Sequence, residues 1–291
     1  MSSALEHLVS LLKVTPIERD VYLGRAQDLG FGQLFGGHVL AQSLMAAAQT
    51  VESGRFCHSL HGYFLRLGKT DEPIYYEVDA IRSGQSFSTR RVVAKQGGVA
   101  IFTMSSSFQR AEQGFSHQNS MPSGITGPDG LVSELERIRS VKDKIPEKAR
   151  ESLTADHAIE IRVVDPVDYF APDKRPAVKN SWFRTTDEVT DADPHIRHAI
   201  LAYASDFGLA STAGMPHEFA FFKPGIQIAS LDHSIWFHRP VNVAGWMLYE
   251  KDSPSAAGSR GFNRGQIFGA DGALMASVAQ ESLIRTARKG R

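Results

Sequence analysis

A single carboxylate stands in an apolar stretch of the second half of the chain. Asp206 lies in LAYASDFGLAS, Leu201 to Ser211, among residues that are otherwise apolar or small. A buried carboxylate without a partner costs several kcal/mol. It can also orient a water molecule and accept its proton, and burial is expected to raise its pKa and so its basicity. The pattern alone leaves two roles open: a catalytic base, or a structural carboxylate bonded to the backbone or to Tyr203.

The sequence offers few groups for nucleophilic catalysis. It contains no G-x-S-x-G motif. Side chains alternate along a strand, so Ser230, Asp232 and Ser234 are expected on one face and His233 on the other. This alternation argues against a Ser230–His233 pair, and an Asp232–His233 contact is interpreted as structural. The one cysteine, Cys57, is interpreted as a small core residue.

Glycine and histidine spacing does not predict a nucleotide or metal site. GFGQLFGG, from Gly30 to Gly37, is one residue too long for the dinucleotide motif and no βαβ pattern surrounds it. The 11 histidines are scattered, without HExxH or CxxC. His58 and His61 are three residues apart on a predicted strand and are expected to face opposite ways. His58 is the first choice if a histidine proves catalytic, and neither a metal nor a cofactor is expected.

Composition limits the class of protein. The 291 residues are 42% hydrophobic and 22% charged, which is typical of a soluble globular protein of one large domain or two. Basic and acidic residues number 32 each, which argues against nucleic-acid binding. One cysteine permits no internal disulfide. No signal peptide, apolar run of 18 residues or C-terminal Ser-Lys-Leu is recognised, so we expect a cytoplasmic protein without a membrane partner.

The chain contains an internal repeat. The segments that begin at Tyr63 and Trp236 align without gaps at an offset of 173 residues. Six of the pairs that are identical at this offset are Phe64 and Phe237, Arg66 and Arg239, Tyr76 and Tyr249, Glu77 and Glu250, Asp79 and Asp252, and Arg91 and Arg264. The matches share one rhythm of strands, which favours duplication over chance.

Each repeat predicts a buried helix followed by antiparallel strands. The spacing in FGGHVLAQSLMAAAQTV predicts a helix over residues 35–51, apolar on nearly every face and therefore buried. DPHIRHAILAYASDFGLAST predicts its counterpart over residues 193–212, with Asp191 or Asp193 as a possible cap. Pro, Gly and Ser are frequent between the repeats, followed by one charged helical segment that ends at Pro146. The pattern predicts an α+β fold in which each sheet wraps around an alanine-rich helix.

Seven segments carry a resemblance to a known family. They are GQLFGGHVLAQSLMAAAQTV, SLHGYFLRLG, SFSTRRVVAKQ, YASDFGLAS, SLDHSIWFHRP, GSRGFNRG and SVAQESLIR. In sequence and order they resemble the type II acyl-CoA thioesterases, a family with a tandem (double) hotdog fold. The resemblance implies an N-terminal hotdog over residues 1–112, a connector with a surface helix over 113–155, and a C-terminal hotdog over 156–291 that carries the catalytic residues.

The resemblance also implies a mechanism. In this family an Asp, a Ser or Thr, and a Gln hold the hydrolytic water, and the matching positions here are Asp206, Ser230 and Gln280. Gly36 and Gly37 open the first central helix and are candidates to stabilise the oxyanion through their N–H groups. The expected partners are an acyl-CoA substrate and further copies of the chain, in a homodimer or homotetramer joined through sheet edges.

Several alternatives remain open at this point. Arg66, Arg91, Arg239 and Arg264 are candidates to contact the CoA phosphates, but duplicated arginines are also expected in ion pairs that maintain the fold, and this second interpretation is preferred. A hotdog hydratase or dehydratase would need an Asp–His pair, and no histidine lies in the helix motif of Asp206. A non-catalytic acyl-CoA binding protein would need a broken water site, whereas all three expected residue types are present.

Overall fold

The computed structural model describes residues 1–30, 32–217 and 225–286. Residues 287–291, in which no targeting signal is recognised, lie outside these ranges. Within the described ranges the α-helices are α1 (Ser3–Leu12), α2 (Gly36–Ala48), α3 (Glu134–Ser140), α4 (Glu147–Thr154) and α5 (Ile196–Ser205). The strands are β1 (Thr15–Glu18), β2 (Val21–Gly24), β3 (Arg55–Phe64), β4 (Ile74–Ser83), β5 (Phe87–Gln96), β6 (Val99–Arg110), β7 (Ile159–Val163), β8 (Val178–Thr185), β9 (Ile226–Ser230), β10 (Asp232–Phe237), β11 (Met247–Ala257), β12 (Arg260–Gly269) and β13 (Leu274–Thr286). No helix in these ranges has the length and apolar character needed to cross a bilayer.

The two repeats form one continuous antiparallel sheet. Its strand order is β1-β2-β4-β5-β6-β3-β10-β13-β12-β11-β8-β7, and β9 pairs separately with β13. The halves join where β3 pairs with β10, and there His61 lies opposite Ser234. These two residues are equivalent at the repeat offset of 173, so a pseudo-two-fold axis passes between them. The predicted α+β class is confirmed, although the two sheets are joined into one.

The two central helices lie side by side inside this sheet. Every residue of α2 after Gly36 is buried, and in α5 only Arg197 is not. Small side chains let the helices and strands approach closely, because a bulky residue would hold the backbones apart. The second helix is shorter than predicted, since α5 ends at Ser205 and a 3-10 helix, Ala210–His217, follows the left-handed Gly208 (φ 70°).

The start of α5 also differs from the prediction. His195 occupies the position before the helix and makes no capping bond with its side chain. Asp193 instead accepts a 2.9 Å hydrogen bond from the backbone N–H of His195. The carboxylate therefore shapes the turn that leads into the helix rather than capping the helix itself.

The connector contains two short helices where one was expected. The predicted charged helix stops at Ser140, and a 3-10 turn, Lys142–Lys144, follows it. Ser133 and Glu136 form a reciprocal capping box at the start of α3. After Pro146, the chain forms α4, so the proline separates two helices.

The duplicated residues make equivalent contacts in the two halves. Tyr76 bonds through its hydroxyl to Gln42 of α2, and Tyr249 bonds to the Ser205 carbonyl of α5. The four duplicated arginines behave alike in pairs: Arg91 with Asp79 and Arg264 with Asp252 form exposed ion pairs, while Arg66 and Arg239 bond to the carbonyls of Ala100 and Leu274. These contacts agree with the structural interpretation of the arginines.

Candidate active site

Asp206 lies at the C-terminal end of α5 and is almost completely enclosed. Its side chain is 5% exposed. The backbone N–H of Gly37, in the first turn of α2, donates to Oδ2 at 2.8 Å. The amide nitrogen Nε2 of Gln280, on β13, donates to Oδ1 at 2.8 Å. The carboxylate is therefore held by groups from both halves of the chain, and each oxygen keeps a further lone pair for another donor.

A histidine that the sequence pattern did not predict at this position completes the cluster. His233 of β10 is fully buried, and its Nδ1 lies 3.0 Å from Gln280 Nε2 and 3.6 Å from Asp206 Oδ1. The other ring nitrogen, Nε2, lies 2.9 Å from the hydroxyl of Ser205. Asp206, Gln280, His233 and Ser205 thus form one buried polar network.

The electrostatics correct one expectation. Burial raises the pKa of the Asp206 carboxyl, but hydrogen bonding and charge from His233, together with the Gln280 amide and the Gly37 N–H, outweigh burial and leave the pKa below its ordinary value. Burial therefore acts in the expected direction, but the expected net rise in the pKa of Asp206 does not occur. The carboxylate is instead kept ionised and oriented, which leaves it ready to accept a proton at neutral pH.

A β-bulge explains why Ser230 and His233, which were expected on opposite faces, lie on the same face. Ser230 pairs with Ser282 of β13, and Ser234 pairs with Ala279. Between those pairs Leu231 and Asp232 lie opposite the single residue Glu281, whose N–H donates to the Asp232 carboxylate at 2.6 Å. The extra residue reverses the alternation of side chains. Ser230 and His233 consequently both lie on the inner face, together with Gln280.

The structure places the hydroxyl-bearing Ser230 beside the network but not in hydrogen bond with it. Ser230 ends β9, is partly exposed, and lies opposite Ser282, which is two residues beyond Gln280 on the same face. The network contacts found for Asp206 come from Gly37, Gln280 and His233. The role expected of Ser230 towards a water molecule therefore remains a prediction.

The two helix-opening glycines have different surroundings. The N–H of Gly37 is already bonded to Asp206. A Cβ on Gly37 would lie 2.4 Å from the carbonyl oxygen of Tyr203, and one on Gly36 would lie 2.7 Å from Asp206 Oδ2. Glycine is required at both positions because α2 and α5 approach closely here. Gly36 belongs to the first turn, whose N–H groups have no partner within the helix.

The two histidines His58 and His61 of β3 do not belong to the Asp206 network. His58 contacts Ser107 and the ring of Phe87, and His61 contacts Ser234 and Trp236. His58 contacts Ser107 and His61 lies opposite Ser105, two residues away on the same face of β6, so the two rings lie on one face of the sheet. A bulge at His58 is the reason. Neither ring contacts Asp206.

Cys57 is buried in the core, and burial raises the pKa of its thiol. The thiol is thus packed and protonated, as expected of a core residue. No group of three or more His, Cys, Asp or Glu side chains suited to a metal occurs in the described part of the chain.

Comparison with known proteins identifies the family. The family model described as acyl-CoA thioesterase matches residues 148–283, and the model of the acyl-CoA thioesterase N-terminal domain matches residues 25–109. The acyl-CoA thioesterase 2 of Haemophilus influenzae is 42% identical over 285 residues, which cover 98% of this chain and 99% of that protein.

Solved structures agree. An acyl-CoA thioesterase II from Mycobacterium marinum is 36% identical, superposes with a TM-score of 0.78 and covers 97% of this chain and 100% of its own. A protein with a hot dog fold from Alicyclobacillus acidocaldarius has a TM-score of 0.77 at 16% identity, covers 96% of this chain and 98% of its own, and supports the fold alone. The chain belongs to the acyl-CoA thioesterase II family, has its double hotdog fold and hydrolyses acyl-CoA thioesters.

Proposed function

We propose that Asp206 activates the water that attacks the thioester, with Gln280 and Ser230 positioning that water. The observation that carries this proposal is the enclosed Asp206 carboxylate, fixed at 2.8 Å by Gln280 and at 2.8 Å by Gly37. The Gln280 acceptor Oε1 is buried and has no protein partner among the described residues, so it is available to a water hydrogen. Ser230 lies on the same face, one strand away.

The reaction then follows from these groups. The water oxygen attacks the carbonyl carbon while its proton passes to the Asp206 carboxylate. The tetrahedral intermediate collapses as the carbon–sulfur bond breaks, which releases the fatty acid and the CoA thiolate, and the thiolate takes up a proton. General-base help of this kind contributes about 10²–10⁴-fold to rate. No cofactor takes part in any step.

The oxyanion requires its own donors. Gly37 donates to Asp206, which leaves Gly36 as the better candidate of the two glycines. The N-terminus of α2 adds the positive end of the helix dipole at this point. Gly37 therefore acts on the base, and Gly36 on the developing negative charge.

The experiment is thiol release from acyl-CoAs of increasing chain length, measured for the wild type and for Asp206→Asn. The proposal expects the variant to lose at least about a hundredfold in kcat while circular dichroism shows a native fold. If the folded variant keeps near-full activity, Asp206 is structural and another group activates the water. The chain-length series also defines the preferred acyl group.

One observation raises a hydratase or dehydratase as a second candidate. Asp206 and His233 form the buried Asp–His contact that such chemistry needs, at 3.6 Å. However, both ring nitrogens of His233 already face protein partners, Gln280 and Ser205, so neither is left for a substrate. The products decide: a thioesterase liberates thiol, whereas a dehydratase creates a double bond and liberates none.

The domain division, location and assembly form a further part of the proposal. Residues 1–112 and 156–291 are taken as the two hotdogs, with 113–155 as connector. A cytoplasmic location is supported by the single, buried Cys57, which suits a reducing compartment. Assembly through sheet edges is supported by β1, an edge strand whose four residues are all exposed. Light scattering coupled to size exclusion would distinguish a monomer from the proposed dimer or tetramer.

A further inference from the structure

The side chain of His233 contacts Ser205, Gln280 and Asp206 together. Its ring is 0% exposed. It comes from β10, whereas Gln280 comes from the neighbouring β13 and Asp206 from the end of α5. Burying a polar ring without water has a cost that only well-formed hydrogen bonds offset. The hydrogen bonds of its two ring nitrogens therefore indicate the role of His233.

The hydrogen bonds around the ring determine its proton positions. The Ser205 hydroxyl donates to the carbonyl of Ala202 at 2.8 Å, so it accepts from His233, whose Nε2 carries the proton. Nδ1 then offers a lone pair to Gln280 Nε2, 3.0 Å away. In the protonated ring Nδ1–H instead turns towards Asp206, the form in which His233 lowers the pKa of that carboxyl, and the bond from Gln280 is lost because an N–H cannot accept from the amide.

The lone pair on Nδ1 has a consequence for the amide of Gln280. An amide group can turn by 180°, which exchanges its nitrogen and its oxygen. One N–H of Gln280 donates to His233 and the other to Asp206 Oδ1, so two acceptors together hold the nitrogen on this side. The opposite orientation would set Oε1 against the carboxylate and against Nδ1, and both contacts would be repulsive.

We propose that His233 is a positioning residue that fixes the orientation of the Gln280 amide, with the nitrogen on Asp206 and the oxygen turned towards the hydrolytic water. This inference rests on the proposed function of Asp206 and Gln280. His233 contacts neither the water nor the substrate in this role. It acts through Gln280, and it keeps one end of that side chain on the base and the other end on the nucleophile.

The first half of the chain lacks this arrangement. The repeat offset and the strand register make Leu60 the equivalent of His233, and Ser106, which lies opposite Leu60, the equivalent of Gln280. Leu60 cannot accept a hydrogen bond, and Ser106 bonds weakly to the Arg90 carbonyl at 3.5 Å. The imidazole therefore accompanies the amide in the one half that carries the carboxylate.

Three substitutions at His233 separate its acceptor from its bulk. Asparagine places an amide oxygen close to the position of Nδ1 and can accept from Gln280. Glutamine reaches towards the position of Nε2 and Ser205, and leucine offers neither contact. We expect kcat of His233→Asn to stay within about fivefold of the wild type. His233→Gln and His233→Leu should each lose about 10–100-fold in kcat, the effect of removing one hydrogen bond from a network that includes a carboxylate, and KM should change little.

The control is His198→Asn, at a buried histidine of α5 that packs against Phe56 and Phe237. It should lower the melting temperature and leave kcat within about twofold of the wild type. If His233→Leu keeps wild-type kcat, or if His233→Asn is no better than His233→Leu at equal folded fraction, the positioning role is overturned. Asp206→Asn is assayed in parallel: full activity there would refute the base assignment itself, whatever the His233 series shows.

Discussion

Gly37 and Asp206 come from opposite halves of the chain and meet in a 2.8 Å hydrogen bond. The bond joins the N-terminus of α2 to the C-terminal end of α5. The partial positive charge of the first helix thereby stabilises the carboxylate carried by the second. A carboxylate that belongs to one repeat is held in place by the backbone of the other.

The first prediction concerns the space at this junction. Gly37→Ala would place a methyl group 2.4 Å from the Tyr203 carbonyl and force α2 away from α5. We expect a loss of about 1–3 kcal/mol in the free energy of unfolding, as for other overpacked sites. We also expect kcat to fall at least about tenfold, because the N–H leaves Asp206. Urea unfolding and thiol release measure the two effects.

A control for this variant is Gly114→Ala, in the connector, where an added Cβ would meet nothing within 4 Å. It should change neither stability nor rate. Wild-type kcat in Gly37→Ala would show that the Gly37 N–H is dispensable for the base.

The second prediction tests the hydroxyl of Ser230. Ser230→Thr should retain activity, because threonine offers the same donor and acceptor, whereas Ser230→Ala should lose about tenfold in kcat. The matched control is Ser234→Ala, on the outer face of β10, where the hydroxyl contacts His61. An alanine variant at Ser230 that is as active as the control would remove Ser230 from the mechanism.

The third prediction concerns pH. Burial raises the pKa of Asp206, but His233, Gln280 and Gly37 outweigh it, so the folded pKa lies below the ordinary value of 3.8. A carboxyl with a depressed pKa contributes stability that is present above its unfolded pKa and lost as pH falls through the folded value. The difference in unfolding free energy between wild type and Asp206→Asn should therefore be constant from about pH 5 to 8 and should shrink below pH 3.8.

The activity of the wild type provides a second measurement of the same group. Protonation of Asp206 should not lower kcat/KM anywhere in the neutral range. If kcat/KM falls on the acid side near neutral pH, and this fall shifts in Asp206→Glu, the depressed pKa of Asp206 is contradicted.

The fourth prediction concerns Lys251, a lysine that is 1% exposed. Its ammonium donates to Ser181 at 2.6 Å and lies 3.9 Å from the centre of the Tyr249 ring, and no ion pair to it occurs in the described ranges. Burial, followed by the charge of Lys179, lowers the pKa of Lys251 well below 10.5. The folded state then binds fewer protons than the unfolded state between these two pKa values, so stability rises with pH in that window.

Lys251→Met should therefore raise the unfolding free energy at neutral pH and remove a slope of up to about 1.4 kcal/mol per pH unit. Denaturant unfolding from pH 6.5 to 9.5 measures both quantities. The control is the exposed Lys148→Met. If Lys251→Met destabilises the protein at neutral pH and leaves the slope unchanged, the buried ammonium is satisfied by its present contacts.

The sequence predicted the parts of the fold that depend on periodicity and repetition. The buried helices, the antiparallel strands and the fold class follow from patterns that run over ten or more residues. The repeat offset also anticipated the paired contacts of Tyr76 and Tyr249. Helix ends were less well predicted, because Gly208 and the turn at Asp193 stop α5 through local backbone geometry.

The candidate site was predicted only in part. The apolar surroundings of Asp206 made it a candidate, the family resemblance implied Gln280, and the two side chains meet at 2.8 Å. Ser230 and His233 were predicted on opposite faces, as were His58 and His61, and both predictions were wrong for one reason. Each strand carries an extra residue, at His58 in β3 and between β9 and β10 at Leu231, and strict alternation fails on passing a bulge. The two bulges are themselves equivalent at the repeat offset, so comparing the halves could have revealed them.

The pseudo-two-fold axis between His61 and Ser234 relates Cys57 to Ser230 and Leu60 to His233. At both pairs of positions the first half has a core residue where the second half has a polar one. On the proposed mechanism the duplication yields one reaction centre per polypeptide, not two. On that mechanism the N-terminal repeat carries no base of its own, but its Gly37 N–H holds the base of the C-terminal repeat in place. Cleavage within the connector should leave an active complex of the two fragments only while β3 remains hydrogen-bonded to β10. Neither fragment alone should hydrolyse the substrate.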